Sequence, residues 1–339
     1  VVVSKLLMEL LVHGNVLKKM PMFSVLQNTN IDFLKHGKSA LIGAGALVAV
    51  GLVTVAVKGK SIYGIDFLGG DTVSLSFAKP VEVGALRTAA QAAGFKEINS
   101  VYQRTIGSDR ELLKITTPFD EAAPLVGALQ KAFPDSQFVN EGVTRIGASV
   151  GHEIQLNAAW SLFWALLLML IYVAFRFEFG YGVGAVVNII LGLLMTIGVF
   201  VLCGRQFNGS MVAAILLVVG YGINDTIVVF DRIREELKLN PTGTLRDIVN
   251  RSLNLTLSRT IVTGGTTLLT AITLIVVTSG DVNDIALTLL IGVVISTFGS
   301  IFIATPVFYW WHKGDRKHVE AHHDIAPKYE WAGSSRASE

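Results

Sequence analysis

Residues 211–230 read MVAAILLVVGYGINDTIVVF, a stretch about as long as a helix needs to cross a bilayer. It contains a single ionisable side chain, Asp225, and no residue of opposite charge. An unpaired ionised group at this depth costs roughly 2.5 kcal/mol or more, so such residues usually mark an ion or proton path. The alternative is a carboxylate that reaches toward water at the near end of the helix. Asn224 and Thr226 flank Asp225 and extend the polar spot, which favours the first interpretation.

The overall composition has the same character as this stretch. Of the 339 residues, 51% are hydrophobic and 16% are charged, and the mean hydropathy is +0.55. This balance is typical of a membrane protein. The single cysteine, Cys203, excludes an internal disulfide and a cysteine-built metal site. The sequence has no HExxH motif and no evident pair of catalytic aspartates, so we predict that the protein is not an enzyme.

Six apolar runs are each long enough to cross a membrane. Helix is the expected form of each run, because a spanning segment must satisfy its own backbone polar groups. We therefore predict an α-helical membrane protein with six transmembrane helices. The runs are residues 40–57, 158–175, 183–203, 211–230, 260–277 and 285–309.

A polar segment, residues 58–156, separates the first two runs. Alternating patterns predict strands at 72–78, 98–105, 111–116 and 137–146, and helical patterns cover 81–93 and 121–133. The order β-α-β-β-α-β predicts a ferredoxin-like α+β domain between helices 1 and 2. The segment has no convergent cluster of catalytic side chains, which favours docking or substrate handling. A passive spacer is the alternative.

Lysine and arginine in the short loops predict the orientation of the chain. Only Arg205 falls in the two short loops on one side of a six-span arrangement, residues 204–210 and 278–284. We therefore place the N-terminal segment 1–39 and the tail 310–339 in the cytoplasm, and the domain 58–156 outside it. The cations on the predicted cytoplasmic side are Lys35, Lys38, Arg176, Arg232, Arg234, Lys238, Arg246, Arg251, Arg259, Lys313, Arg316 and Lys317.

Four longer strings resemble one family of bacterial membrane proteins. They are GIDFLGG (64–70), VGYGINDTIVVFDRIRE (219–235), LSRTIVTGGTTLL (257–269) and LLIGVVISTFGSIFIATPV (289–307). The chain resembles the SecF family of protein-export membrane proteins, within the resistance-nodulation-division superfamily. The resemblance covers residues 30–311, and six spans with one outer domain after the first also match this family.

The resemblance implies a bacterial inner-membrane, multi-pass subunit that works with SecD and the SecYEG channel. Such subunits use the proton-motive force to help move preproteins across the membrane, and YajC and the insertase YidC are further candidate partners. No cofactor and no nucleic acid are implied, and sodium remains an alternative to protons. Two rival functions stay open. One is a stand-alone small-molecule exporter of the same superfamily, and the other is a non-transporting scaffold.

The resemblance also assigns roles to particular residues. Asp225 matches the family's proton-carrying aspartate, and Arg259 matches an arginine implicated with it. An ordinary positive-inside anchor is the alternative for Arg259. Small and hydroxyl residues predict close and movable helix contacts around this pair. They are Gly220, Gly222, Asn224, Thr226, Thr260 and Thr263.

The GIDFLGG string predicts a structural turn, with Gly64, Gly69 and Gly70 supplying backbone freedom. Asp66 is expected to order that turn through a local hydrogen bond from its side chain to the backbone. A direct transport role for Asp66 is the alternative.

The chain departs from the family pattern at two places. Val187 and Asn188 stand where a His-Asp pair is usual, and Thr263-Gly264 replaces the usual Thr-Ser. Asparagine can form hydrogen bonds but cannot titrate, so any protonic role at that position is absent. The first residues resemble the end of a preceding span followed by a basic linker, which predicts the SecF half of a fused SecD–SecF chain.

Overall fold

The computed structural model describes residues 29–95, 98–104, 111–176, 179–278, 280–315 and 319. The prediction that the chain opens with the end of a SecD half concerns residues outside this range, and so does most of the tail. Six long apolar helices lie within the described residues, which confirms the six-span fold. They are α1 (Gly37–Lys58), α5 (Ala148–Arg176), α6 (Phe179–Leu202), α7 (Gly209–Leu239), α8 (Leu245–Val277) and α9 (Asp281–Gly299) with its continuation α10 (Thr305–Trp311). They are called the first to sixth spans below.

The third, fourth and sixth spans form the centre of the bundle. Half of the most apolar part of the fourth and of the sixth span is buried within the protein, against 6% for the second span. The first span reaches this centre through a glycine contact. A Cβ added at Gly51 would lie 2.7 Å from the Cα of Gly198, so larger side chains would push these helices apart.

The fourth and fifth spans extend well beyond the predicted membrane segments. Only residues 240–244 separate them, because the fourth ends at Leu239 and the fifth begins at Leu245. Helices of 31 and 33 residues are about 47 and 50 Å long, whereas the hydrocarbon core of a bilayer is about 30 Å thick. The cations predicted to crowd a loop therefore lie on a helical hairpin. We call this end of the molecule the hairpin side, and the opposite end the domain side.

A buried carboxylate holds the hairpin together. Glu236 accepts from Arg232 Nη2 at 2.6 Å and from Asn240 Nδ2 at 2.7 Å, both on or next to the fourth span. Arg251 of the fifth span places its Nε 3.1 Å from Glu236 Oε2, the oxygen that also accepts from Asn240. Because Glu236 is almost fully buried, these partners offset the cost of removing its charge from water.

The residues before the first span are fastened to the hairpin side of the fifth span. Asn254 accepts from Ile31 N and donates to Ile31 O, both at 3.0 Å. Asn250 accepts from Phe33 N at 3.0 Å and donates to Asp32 Oδ1 at 2.9 Å. The guanidinium of Arg246 donates to Asp32 Oδ2 at 2.6 Å and holds the pKa of that carboxyl below its ordinary value.

The sheet domain lies between the first and second spans and has the predicted β-α-β-β-α-β order. Its strands are β1 (Gly70–Ser76), β2 (Asn99–Arg104), β3 (Glu111–Thr117) and β4 (Val139–Ile146), and its helices are α3 (Val83–Ala92) and α4 (Ala122–Ala132). A one-turn helix, α2 (Ile65–Leu68), precedes β1. The sheet order is β2-β3-β1-β4, with each neighbouring pair antiparallel. This topology confirms the ferredoxin-like prediction.

Alternation along the strands gives the sheet one apolar face. Val73 and Leu75 of β1 and Leu113 and Ile115 of β3 are fully buried on that face. Helices α3 and α4 cover it with Leu86, Leu125 and Leu129. The opposite face of the sheet carries polar residues such as Thr72, Lys114 and Thr116, which line a cavity of about 290 Å³ above the loops of the spans.

Candidate functional site

Asp225 lies in the interior of the bundle, where the fourth, fifth and sixth spans meet. Its carboxylate accepts two hydrogen bonds from hydroxyl groups of neighbouring helices. Thr260 Oγ1 of the fifth span donates to Oδ1 at 3.0 Å, and Ser300 Oγ of the sixth span donates to Oδ2 at 2.9 Å. Asp225 is 7% exposed, and Thr260 and Ser300 are buried almost completely. The site therefore connects three helices through one carboxylate.

Ser300 is the site residue that the sequence analysis missed. It begins a π-helical turn, Ser300–Ala304, that interrupts the sixth span. Thr305 Oγ1 donates to Ser300 O at 2.9 Å. Turns of this kind insert a residue into a helix and are frequent at functional sites. The string STFGS in the quoted motif contains Ser300, but nothing in that string indicates which hydroxyl faces Asp225.

The hydroxyl of Ser300 has two acceptors within reach. Asp225 Oδ2 lies at 2.9 Å and the backbone oxygen of Thr297 at 3.0 Å. One hydroxyl proton can serve only one acceptor fully, while its oxygen can also accept. When Asp225 is ionised, Ser300 can donate to it. When Asp225 is protonated, Ser300 can donate to Thr297 O and accept a hydrogen bond from the carboxyl group, so the same geometry accommodates both states.

Thr226 and Asn188 extend the polar site toward the third span. Asn188 Nδ2 donates to Thr226 Oγ1 at 3.1 Å. Thr226 Oγ1 in turn donates to Gly222 O at 3.0 Å. All three residues are buried. The asparagine that departs from the family pattern is therefore part of the polar centre, as a hydrogen-bonding group that cannot titrate.

A small cavity lies beside this polar centre. Its volume is about 20 Å³, which is enough for one water molecule. Asn188 and Ser296 are among the residues that line it, and within the described part of the chain Asn188 Oδ1 and Ser296 Oγ have no hydrogen-bond partner. Two such oxygens give a water molecule in this cavity polar neighbours.

Glycines allow the third, fourth and sixth spans to approach closely around the site. A Cβ at Gly222 would lie 2.5 Å from Ser296 Oγ, and one at Gly299 would collide with Asn188 Oδ1. In contrast, a Cβ at Gly220 would meet nothing within 4 Å, because this glycine is on the exposed side of the fourth span. The two predicted glycines therefore have different environments.

Arg259 precedes Thr260 on the fifth span but points to the exposed side of the helix. The ion pairs of the described residues do not include one between Arg259 and Asp225. Its positive charge still acts electrostatically on Asp225. Arg259 is thus a neighbouring cation, and the direct partners of the carboxylate are hydroxyl groups.

Asn224 and Thr263 lie outside the buried site. Both are exposed, Asn224 on the fourth span and Thr263 on the fifth. The hydroxyl of Thr263 donates to Arg259 O at 2.9 Å, so it is satisfied within its own helix. Thr266 and Thr270 follow Thr263 on the same exposed side. These residues form a polar face, which we define as Asn224, Thr263, Thr266 and Thr270.

The GIDFLGG string lies at the domain side and has long-range partners. Asp66 Oδ2 accepts from Gly209 N at 2.8 Å, at the first residue of the fourth span. This contact differs from the local turn bond expected from the sequence. Gly64 N donates to Phe207 O at 2.6 Å. Gly69 and Gly70 have φ angles of 77° and 148°, which side chains rarely adopt, so the prediction of backbone freedom is confirmed for them. It is wrong for Gly64, whose φ of −77° is open to any residue.

Residues 147–151, GASVG, contain a G-x-S-x-G string at the junction of β4 and the second span. In hydrolases this string can present a nucleophilic serine beside a histidine. Among the described residues, Ser149 forms no hydrogen bond to a histidine. Gly151 has a packing role, because a Cβ there would lie 2.8 Å from Phe67 O. The described residues also contain no group of three His, Cys, Asp or Glu side chains that could hold a metal ion.

The comparison with protein families settles the relationship. The family described as protein export membrane protein SecD/SecF, C-terminal, matches residues 126–314, which include the whole of the Asp225 site. This chain belongs to the SecD/SecF family. The family resemblance inferred from the four motif strings is thereby confirmed.

Individual relatives extend the match over most of the chain. Protein translocase subunit SecF of Calditerrivibrio nitroreducens is 37% identical over 83% of this chain and 94% of its own length. The protein of the same name from Escherichia coli O157:H7 is 34% identical over 81% of this chain and 86% of its own. The family therefore accounts for both the sheet domain and the spans, and supports a multi-pass membrane protein.

Solved structures of SecDF share the fold. SecDF from Thermus thermophilus matches with a TM-score of 0.75 and 31% identity over 91% of this chain. SecDF in a super-membrane-facing form matches with a TM-score of 0.69 and 32% identity over the same share. This chain spans 42% of the length of each of those SecDF chains.

Proposed function

We propose that this chain is a SecF-type translocase subunit that couples proton movement at Asp225 to helix rearrangement during protein export. The observation that carries the proposal is the buried carboxylate held by hydroxyls of two other spans, with no ion-pair partner among the described residues. A carboxylate in such a site exchanges protons with water at a cost that depends on its neighbours. The local helix packing therefore depends on its protonation state.

The two protonation states place different demands on the sixth span. The ionised state needs donors, and Thr260 and Ser300 supply them. The protonated state needs an acceptor, which Ser300 can provide while it donates to Thr297 O. Because Ser300 starts the π-helical turn, a change in its hydrogen bonding acts on the least regular point of the sixth span. A water molecule in the cavity beside Asn188 would extend the polar centre formed by Asn188 and Thr226.

The membrane potential provides free energy on the scale of one hydrogen bond to Asp225. One elementary charge crossing a potential of 100 mV releases about 2.3 kcal/mol. That amount lies within the range of about 1.5–3 kcal/mol that one hydrogen bond to a charged group contributes. In this proposal the chain needs no cofactor and catalyses no covalent reaction. Sodium is the alternative coupling ion, and the gradient experiment below distinguishes it from protons.

SecD is the proposed partner at the polar face of the fourth and fifth spans. Asn224, Thr263, Thr266 and Thr270 point away from this chain's own bundle, and only 17% of the most apolar part of the fifth span is buried. Polar and small residues at helix surfaces favour contact with further helices over contact with lipid. The length of the SecDF chains, more than twice that of this chain, supports a second helix bundle at such a face.

The orientation completes the proposal. The domain side lies outside the cytoplasm of a bacterial inner membrane, and the hairpin side lies in the cytoplasm, since half of the twelve cations predicted for the cytoplasmic side lie on the hairpin. The sheet domain then meets preproteins as they leave the SecYEG channel, while the hairpin is available to cytoplasmic parts of the translocase. YajC and YidC are further candidate partners, and no nucleic acid is involved.

Export in reconstituted vesicles tests the coupling role. We would compare wild type with Asp225→Asn, assembled with SecD and SecYEG, and measure export of a reporter preprotein with and without an imposed proton gradient. Asp135→Asn is the matched control, because Asp135 is an exposed aspartate of the sheet domain, outside the buried site. We expect Asp225→Asn to lose the gradient-stimulated part of export and to keep complex assembly.

The outcomes separate the rival functions. An unchanged gradient response in Asp225→Asn would refute proton coupling and favour a scaffold. A response to a sodium gradient and none to a proton gradient would reassign the coupling ion. A stand-alone exporter of small molecules would show no dependence of its activity on SecYEG, which a channel-free control measures.

A further inference from the structure

Residues 61–70, which we call the joint, connect the first span to β1 of the sheet domain. They also contact the loop before the fourth span. Gly64 N donates to Phe207 O, and Phe207 N donates to Ile62 O, both at 2.6 Å. Tyr63 and Phe207 pair as an isolated parallel bridge. The joint therefore adds a short stretch of strand-like pairing to the chain immediately before the fourth span.

Asp66 extends this contact to the fourth span itself. Its Oδ2 accepts from Gly209 N at 2.8 Å, while Asn208 Oδ1 accepts from Met211 N at 2.9 Å. The first amides of a helix have no partner within the helix, and the helix dipole favours a negative charge at this end. Asn208 immediately precedes the fourth span and is its N-cap residue. Asp66 is a second cap that comes from a part of the chain 143 residues away.

The other end of the joint is firmly attached to the sheet domain and to the second span. Gln155 of the second span donates to Phe67 O at 2.7 Å, and Gly151 packs against the same carbonyl. Asp71, the residue after the joint, is fully buried and forms an ion pair with Arg145 of β4 at 2.7 Å. This ion pair raises the pKa of Arg145. A movement of β1 should therefore also move Asp66.

The fourth span connects the cap to the proton site. Asp225 lies sixteen positions after Gly209, which corresponds to about 24 Å along one continuous helix. Cavities of about 670 Å³ and 290 Å³ lie beside the joint, between the sheet domain and the loops of the spans. They leave space for the sheet domain to tilt while the joint keeps its contacts.

We propose that Asp66 is a positioning residue that ties the orientation of the sheet domain to the fourth span. The inference rests on the proposed function of Asp225. Rearrangement around Asp225 then moves the start of the fourth span, and Asp66 passes that movement to β1. Through this contact, proton movement at Asp225 changes the orientation of the sheet domain, which in the proposed function meets the exported chain.

The test uses the full chain assembled with SecD and SecYEG in vesicles. We expect Asp66→Ala to reduce the gradient-stimulated part of reporter export about fivefold, the size expected for the loss of one charged helix cap. Gradient-independent export and complex assembly should stay unchanged. Asp66→Asn should be intermediate, because its amide oxygen can still accept the Gly209 amide proton. Asp135→Ala, at an exposed aspartate of the sheet domain, is the control and should have no effect.

A second measurement follows the mechanical link directly and needs no gradient. Spin labels at Thr88 on α3 and Leu217 on the fourth span, both exposed, report the distance between domain and helix in a cysteine-free background. Asp66→Ala should broaden the distance distribution, and Asp66→Glu, which keeps the charge, should restore part of the wild-type width. A merely local role of Asp66 in the turn would leave this distribution unchanged.

The outcomes distinguish this inference from the proposed function. A normal gradient response in Asp66→Ala, beside a lost response in Asp225→Asn, overturns the positioning role and leaves the proposed function standing. An unchanged response in Asp225→Asn overturns the proposed function. In that case the label distances still decide whether Asp66 holds the sheet domain against the fourth span. An unchanged distance distribution in Asp66→Ala overturns the positioning role as well.

Discussion

Gly222 offers a sharp test of the packing around Asp225. It lies one turn before Thr226 on the fourth span and faces the sixth span. A methyl group there would lie 2.5 Å from Ser296 Oγ and 3.4 Å from Ser296 Cβ. The second distance is an ordinary contact, whereas the first is about 1 Å too short. Gly222→Ala must therefore displace the hydroxyl of Ser296 or separate the two helices.

The magnitude follows from two opposing effects. Replacing glycine by alanine within a helix stabilises it by about 0.5–1 kcal/mol. Overpacking in a well-packed interior costs about 1–3 kcal/mol. Gly220→Ala is the matched control, because the same substitution two residues earlier meets open space. The difference between the two variants removes the helix-propensity term, so we expect Gly222→Ala to be less stable than Gly220→Ala by about 1–3 kcal/mol.

A double variant makes the reasoning specific to one contact. Ser296→Ala removes the hydroxyl that the new methyl would meet, and this hydroxyl has no hydrogen-bond partner among the described residues. Ser296→Ala alone should therefore be neutral or mildly stabilising. Combined with Gly222→Ala, it should recover most of the lost stability, with a coupling of about 1–2 kcal/mol.

Denaturant titration of the purified protein in mild detergent measures these differences, and gradient-stimulated export in vesicles measures their consequence. Gly222→Ala should weaken the gradient response, because separation of the fourth and sixth spans lengthens the bond from Ser300 to Asp225. Equal stability of the Gly222 and Gly220 variants would refute the packing argument. A destabilised Gly222→Ala that Ser296→Ala fails to rescue would refute the assigned contact.

Two further predictions concern the ends of the molecule. Arg246 lowers the pKa of Asp32. The contribution of this pair to stability is therefore complete above the ordinary pKa of 3.8 and is lost as pH falls through the lowered pKa. A spin label at Asn30 should therefore become more mobile as the pH falls below the lowered pKa, and should already be more mobile at neutral pH in Arg246→Ala. Gly70→Ala should lower the thermal stability of the chain, because φ is 148° and the new Cβ would lie 2.5 Å from a β3 carbonyl. Gly142→Ala, which meets open space, should not.

The membrane fold was largely predictable because the signals for it are local. An apolar run of bilayer length must satisfy its own backbone, so its helical form follows from composition alone. The strands and helices of the sheet domain likewise follow from periods of two and about 3.6 residues. The helix ends were not predictable in the same way. The fourth and fifth spans continue as a hairpin of polar and apolar residues, in which Glu236 is buried and lies 3.1 Å from Arg251 of the neighbouring helix.

The site illustrates the same division. Asp225 and Thr260 were predicted and lie together, but Asn224 and Thr263, predicted beside them, face outward. Successive helical residues differ by about 100° around the axis, so adjacent residues can face opposite surroundings. The sequence offers the polar residues, while packing decides which of them reach the carboxylate. Ser300 was missed because its position depends on the π-helical turn in the sixth span.

The sequence by itself determined the number of spans, the place and topology of the sheet domain, and the membrane location of Asp225, since each depends on local composition and periodicity. Tertiary structure alone decided the partners of Asp225 and Asp66. The donors Thr260 and Ser300 lie 35 and 75 residues from Asp225, and Gly209 lies 143 residues from Asp66. Contacts over such separations depend on how whole helices pack, and a single sequence carries no periodic signal for them.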